Sequence, residues 1–154
     1  MRLKTVGQWQ GNNVGLIIVP NFVLPIAADP WVGPFPLSHA RIGYDTICTE
    51  TNVTASSEVA GFVAADAVNP YTSEWWQPAE LPATWTCDAG SAVTSDYIGI
   101  AGHNLATLGC AVSISYSLDG ESWTELYALA PQDNRPLMLL HNGTLARYWR
   151  LTVT

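Results

Sequence analysis

Between residues 111 and 118 apolar and polar positions alternate without a break. Ala111-Val112-Ser113-Ile114-Ser115-Tyr116-Ser117-Leu118 puts Val112, Ile114, Tyr116 and Leu118 on one face and small polar residues on the other. A period of two predicts a strand with one face on a core and the other in water. Asp119-Gly120 follows, a dipeptide suited to the positive φ of a tight hairpin, and Trp123-Thr124-Glu125-Leu126-Tyr127 reads as the returning strand. Further short β-rich stretches lie at Arg41–Ile47, Val53–Ser57, Thr84–Asp88, Asp96–Ala101, Leu137–His141 and Leu145–Val153. No helix of ordinary length is patterned, and the Ala-rich stretch Val63–Val68 suits a single turn. So many short strands without helices predict an all-β fold, a jelly-roll antiparallel β-sandwich. Its final stretch, Ala146-Arg147-Tyr148-Trp149-Arg150-Leu151-Thr152-Val153-Thr154, is expected to dock centrally in a sheet and close the fold.

The first part of the chain is built differently. Pro20, Pro25, Pro30, Pro34 and Pro36 each remove a ladder donor and restrict the preceding residue, so this stretch should be extended and irregular. Leu16, Ile17, Ile18, Val19, Phe22, Val23, Leu24, Trp31 and Phe35 make it too apolar for a free linker. The expected organisation is an extended N-terminal arm, residues 1–41, packed on the domain or on a neighbouring copy, followed by a sandwich over residues 42–154. The apolar run from Val14 to Val19 is short and is broken by Pro20, which fits neither a membrane-spanning helix nor a signal peptide. The expectation is therefore a protein folded in a cytoplasm, without membrane insertion.

Composition narrows the function. A chain of 154 residues suits one domain with its own core. With 48% hydrophobic and only 12% charged residues, seven Trp and six Tyr, it is a folding sequence, some of whose surface is expected to be covered by a partner. Its net charge of −7 and single lysine, Lys4, exclude a phosphate-tracking surface, so no nucleic-acid partner is expected. Cys48, Cys87 and Cys110 show no metal-binding or disulfide-framework spacing and read as buried free thiols. His39, His103 and His141 are scattered, and no nucleophile or paired-carboxylate motif accompanies them, so no catalytic residue is assigned and no enzyme activity is expected.

Several segments, taken in order, resemble the discoidin or coagulation-factor C-type domain of the galactose-binding-like β-sandwiches. They are Val53-Thr54-Ala55-Ser56-Ser57, Ala65 to Trp76, Trp85-Thr86-Cys87-Asp88-Ala89-Gly90, Tyr97-Ile98-Gly99-Ile100, His103-Asn104-Leu105, Ser113 to Trp123, and Ala146 to Val153. The family's Tyr-Ser-x-Asp-Gly-x-x-Trp pattern is met by Tyr116-Ser117-Leu118-Asp119-Gly120-Glu121-Ser122-Trp123, and its closing strand by Arg147-Tyr148-Trp149-Arg150. Carbohydrate-binding relatives often hold calcium in an Asp-Gly loop. Here that loop is Asn69-Pro70-Tyr71-Thr72-Ser73-Glu74-Trp75-Trp76, and besides Asp66 and Glu74 it offers few of the six to eight oxygens calcium takes. No metal or other cofactor is assigned.

The resemblance implies a glycan site on the loops. Tyr71 and Trp75 are the candidate stacking rings, and Glu74 and Asn104 the candidate hydroxyl readers. Trp76, Asp119, Gly120, Trp123, Arg147, Trp149 and Arg150 are assigned structural roles: Trp76 in the core, one of Arg147 and Arg150 paired with a carboxylate such as Asp88 or Asp119, with Arg150 favoured for that pair, and Trp149 stacked on Arg147. The run Ser38-His39-Ala40-Arg41-Ile42-Gly43-Tyr44 leading into a compact domain also resembles small virion proteins of tailed bacteriophages. The leading expectation is a non-enzymatic structural component of a phage tail or tail tip, contacting other virion proteins and copies of itself through the arm. The alternatives are a carbohydrate-binding module for cell-surface polysaccharide and a capsid decoration protein.

Overall fold

The structure, a computed structural model, describes residues 31–32, 46–71 and 73–154, with backbone only for Trp31 and Val32. The arm, apart from those two residues, the greater part of the strand expected at Arg41–Ile47, and His39 lie outside the described residues. Strands run at Trp31–Val32 (β1), Val53–Ala55 (β2), Ala83–Ile100 (β3), Val112–Ser117 (β4), Thr124–Leu129 (β5) and Leu137–Val153 (β6). A 3-10 turn occupies Ala64–Ala67, where the Ala-rich stretch suits a single turn, and a four-residue helix, Leu105–Leu108, has no counterpart in the sequence pattern. The order across the sheet is β2-β3-β6-β4-β5, with β1 pairing parallel to β6 at Met138 and Leu139 and all other ladders antiparallel. The fold is an antiparallel β-sandwich. The C-terminal strand is central, as its sequence predicts.

Four of the predicted strands are two. Thr84–Asp88 and Asp96–Ala101 fuse into β3, and Leu137–His141 and Leu145–Val153 fuse into β6. Their pairing slips between Asp88/Val93 and again between Ser95/Tyr97. At the first slip Ala89 to Ala92 stand opposite Arg147 alone, and Gly90 takes φ 75°. Bulges of this kind let one strand pass from one layer of a sandwich to the other. Trp85, Cys87, Trp149 and Leu151 from one end of the ribbon share a single core with Ile100, Leu137, Leu139 and Ala146 from the other.

Arg147 closes this bend. Its Nε and Nη2 donate to the two carboxylate oxygens of Asp88 at 2.7 and 2.8 Å, and the Gly90 N–H donates to Asp88 at 2.8 Å. The guanidinium, helped by that N–H, holds the Asp88 carboxyl below its usual range. The carboxylate pair expected of one of the two arginines thus falls on Arg147, with Asp88 as its partner, and Arg147 does not stack on Trp149. The bulge breaks the inside-outside alternation at Arg147, which lies 4.8 Å from the Tyr148 ring centroid, whereas Trp149 turns inward against Tyr116 and His141. Arg150 also departs from expectation. It meets no carboxylate among the described residues; its guanidinium sits 3.6 Å from the centroid of Trp123 and its Nε donates to Thr86 at 3.4 Å. Arg150 is only partly buried, so a ring suffices where a fully buried charge would need an anion.

The Asp119-Gly120 turn is wider than a tight hairpin, since residues 118–123 separate β4 from β5. Leu118 and Trp123 therefore leave the strands, and Leu118 is exposed. Asp119 organises the loop: its Oδ1 accepts from the Ser117 hydroxyl and the Glu121 and Ser122 N–H groups, each at 2.8 Å. Those donors hold its carboxyl far below the usual carboxylate range. Gly120 has φ 81°, a conformation that costs a side chain about 1–2 kcal/mol. Gly120→Ala should accordingly lose about 1 kcal/mol of stability in urea denaturation; an unchanged midpoint would show that the loop relaxes freely.

Candidate functional site

The loop between the 3-10 turn and β3 carries three of the four candidate ligand residues. Asn69, buried beneath it, explains its shape: Nδ2 donates to Oε2 of Glu74, and Oδ1 accepts from the Tyr71 N–H at 3.0 Å. Asn69 thus does structural work, and no three of the described His, Cys, Asp and Glu residues gather as a metal site. Tyr71 stands out at 60% exposure, while every other aromatic whose side chain is described is at least partly buried. Trp76 points the opposite way. It is fully buried, with Nε1 donating to the Ser57 carbonyl at 3.1 Å, as its core assignment requires.

Trp75 is half-buried and stacks on Phe62, with ring centroids 4.8 Å apart and planes at 27°. Phe62 carries no sequence signal, because one Phe between a glycine and an Ala-rich turn has no period. Its place comes from cross-loop pairing: Val59 bridges Phe62, the Val59 N–H donates to the Gln77 carbonyl at 2.8 Å, and the Gln77 N–H donates to the Phe62 carbonyl at 3.1 Å. The same small unit holds two further carboxylates. Glu58 accepts from the Ala64 N–H at 2.6 Å, and Asp66 accepts from the Val63 N–H at 3.0 Å. Glu74 is less free than expected, since one of its oxygens is held by Asn69.

Asn104 belongs to a different loop, at the start of the short helix, where the fully buried Leu105 anchors the turn. This loop is tied to the one before β6. His103 Nε2 lies 2.7 Å from the Arg135 carbonyl, and Asn134 bonds Thr107 through both its side-chain atoms, at 3.3 and 2.6 Å. Tyr71, Glu74 and Trp75 therefore share one loop, which Trp75 joins to Phe62, while Asn104 is held by a separate loop pair. No helix among the described residues is long and apolar enough to cross a membrane.

No family model matches the sequence, and neither does any curated protein. Solved structures do match. Chitosan-binding module 1 of a chitosanase/glucanase from Paenibacillus sp. IK-5 aligns with a TM-score of 0.63 at 22% identity, over 72% of this chain and 87% of that one. The CBM32 of AlyQ, in complex with 4,5-unsaturated mannuronic acid, aligns with a TM-score of 0.57 at 28% identity, over 67% of this chain and 81% of that one. A pectin-binding carbohydrate-binding module aligns with a TM-score of 0.55 at 21% identity, over 66% of this chain and 76% of that one. The fold is one that carbohydrate-binding modules use. It agrees with the galactose-binding-like resemblance carried by the sequence motifs.

Proposed function

We propose that the domain is a non-enzymatic carbohydrate-binding module, with Tyr71 and the Trp75–Phe62 pair as its stacking surface and Glu74 beside them as a polar reader. The observation that carries this reading is the fold shared with binding modules, together with an exposed aromatic on a loop whose backbone is fixed from beneath by Asn69. A preformed loop spares the ordering entropy that weakens flexible binders. Aromatic side chains add large contact area at low entropic cost, and sugar C–H faces stack on such rings.

Charge selects among glycans. The neighbours' ligands include both an amino polysaccharide, chitosan, and uronic acids, so likeness alone does not choose. Residues 42–134 contain no Lys or Arg, and Glu58, Asp66 and Glu74 lie in the same turns that carry the aromatic pair. Like charges brought together in a partly desolvated site repel. Neutral or amino-sugar oligosaccharides are therefore expected to bind, and polyuronates to bind more weakly. Calorimetric titration of the intact protein with each class tests this. Tyr71→Ala, which removes an exposed ring with little fold role, should weaken binding about tenfold, or 1.4 kcal/mol. Absence of binding to every glycan at millimolar concentration would refute the reading.

The sequence resemblance to small phage virion proteins supports a setting for such a module, in a tail and close to a cell surface. Mass spectrometry of purified particles tests it, and absence of the chain from intact virions would remove that setting.

A further inference from the structure

Cys48 and Cys87 are distant in sequence, yet the segment before β2 folds over β3 and joins them. Asn52 shapes that segment: its Nδ2 donates to the Ile47 carbonyl at 2.9 Å, its Oδ1 accepts from the Thr49 N–H at 2.7 Å, and its backbone carbonyl accepts from the Asp88 N–H at 2.9 Å. The Cys87 thiol lies beneath, 3.8 Å from the Ile47 carbonyl and 3.7 Å from Asn52 Oδ1. Cys48, the next residue along, packs on the same core, which sets it beside Cys87. Cys87 is fully buried and Cys48 only partly exposed, its thiol itself largely buried, so Cys48 is the nearer of the two to solvent. Cys110 is held apart, its thiol 3.9 Å from the Leu108 carbonyl.

We propose that Cys48 and Cys87 form a modification site, a dithiol that closes to an intramolecular disulfide by exchange with a small-molecule disulfide. In the first step the Cys48 sulfur, having lost its proton, attacks the S–S bond of the oxidant. One thiol leaves with a proton, and a mixed disulfide remains on Cys48. In the second step the deprotonated Cys87 sulfur attacks the Cys48 sulfur and displaces the second thiol. Two protein thiols are oxidised, and one disulfide is reduced to two thiols. The neighbouring Cys87, with burial, raises the Cys48 thiol, and Cys48 in turn lowers Cys87. The first step is accordingly slow near neutrality and faster as pH rises, while the second sulfur is readied to complete the exchange.

The test is incubation of the folded, reduced protein with oxidised glutathione, followed by intact mass measurement and peptide mapping. The expected product has lost about 2 mass units, links the Cys48 and Cys87 peptides, retains a free Cys110 and melts at a higher temperature than the reduced form. Cys87→Ser should stop at a glutathione adduct on Cys48, a result readable without comparing stabilities. A stable glutathione adduct on the unsubstituted protein, a link to Cys110, or thiols that stay unreacted while the protein is folded would each overturn the proposal.

Discussion

Trp76→Ala is expected to destabilise the domain by about 3–5 kcal/mol, several times the loss expected for Gly120→Ala. The indole is fully buried, and its N–H satisfies the Ser57 carbonyl, so truncation leaves both a cavity and an unpaired acceptor. Domains of this kind have about 5–15 kcal/mol in total, so the variant would sit near the edge of folding. Equilibrium urea denaturation measures the difference, with Trp76→Phe as a milder control that retains most of the ring volume. A loss below about 1.5 kcal/mol would mean that the loop collapses into the space and that Trp76 does not anchor it.

Acid should weaken the fold well before its carboxylates titrate. His103 and His141 are both buried, and burial pushes each imidazole below its ordinary pKa; the Arg135 carbonyl and Asp133 oppose this at His103, the Asn142 carbonyl and Asp96 at His141. An unfolded histidine titrates near 6.5, so below that pH the unfolded chain binds protons that the folded one refuses. The stabilising contribution is thus complete above about pH 6.5 and declines as pH falls, by at most about 1.4 kcal/mol per pH unit for each histidine. Thermal melts from pH 7.5 to 5 should show a steady fall in midpoint, and replacing both histidines with asparagine should flatten it. A midpoint constant across that range in the unsubstituted protein would contradict the account. Asp88, Asp119 and Asp133, whose folded pKa values are depressed, contribute in a separate and more acidic window.

The strands are legible wherever side-chain alternation is regular. Val112 and Ile114 in β4 are buried where the pattern puts them, and the last strand is central. The sequence is silent where geometry depends on distant partners. Ala89-Gly90-Ser91-Ala92 reads as a break between strands, yet the backbone runs on through a bulge because Asp88 finds Arg147 across the ladder. Alternation counted through that bulge misplaces Arg147 against Trp149. Arg150 and Trp123 illustrate the same limit, since their contact forms between a strand and a loop far apart in the chain. At the candidate site, exposed Tyr71 and core Trp76 agree with the roles taken from the family resemblance, whereas the place of Phe62 and the approach of Cys48 to Cys87 exist only after folding.

The bent ribbon of β3 and β6 bears on how the chain reaches this structure. The two strands pair along most of their length on both sides of the bulge, so neither half of the ribbon is complete while the other is unformed. The pairing also joins segments 37 to 70 positions apart in sequence, Ile100 with Leu137 at one end and Ala83 with Val153 at the other. Loop closure over such separations is paid before its contacts return anything, which places the chain among slow, highly cooperative folders. Partial synthesis would leave β3 without its central partner until β6 has emerged, and the domain as a whole would form only after that.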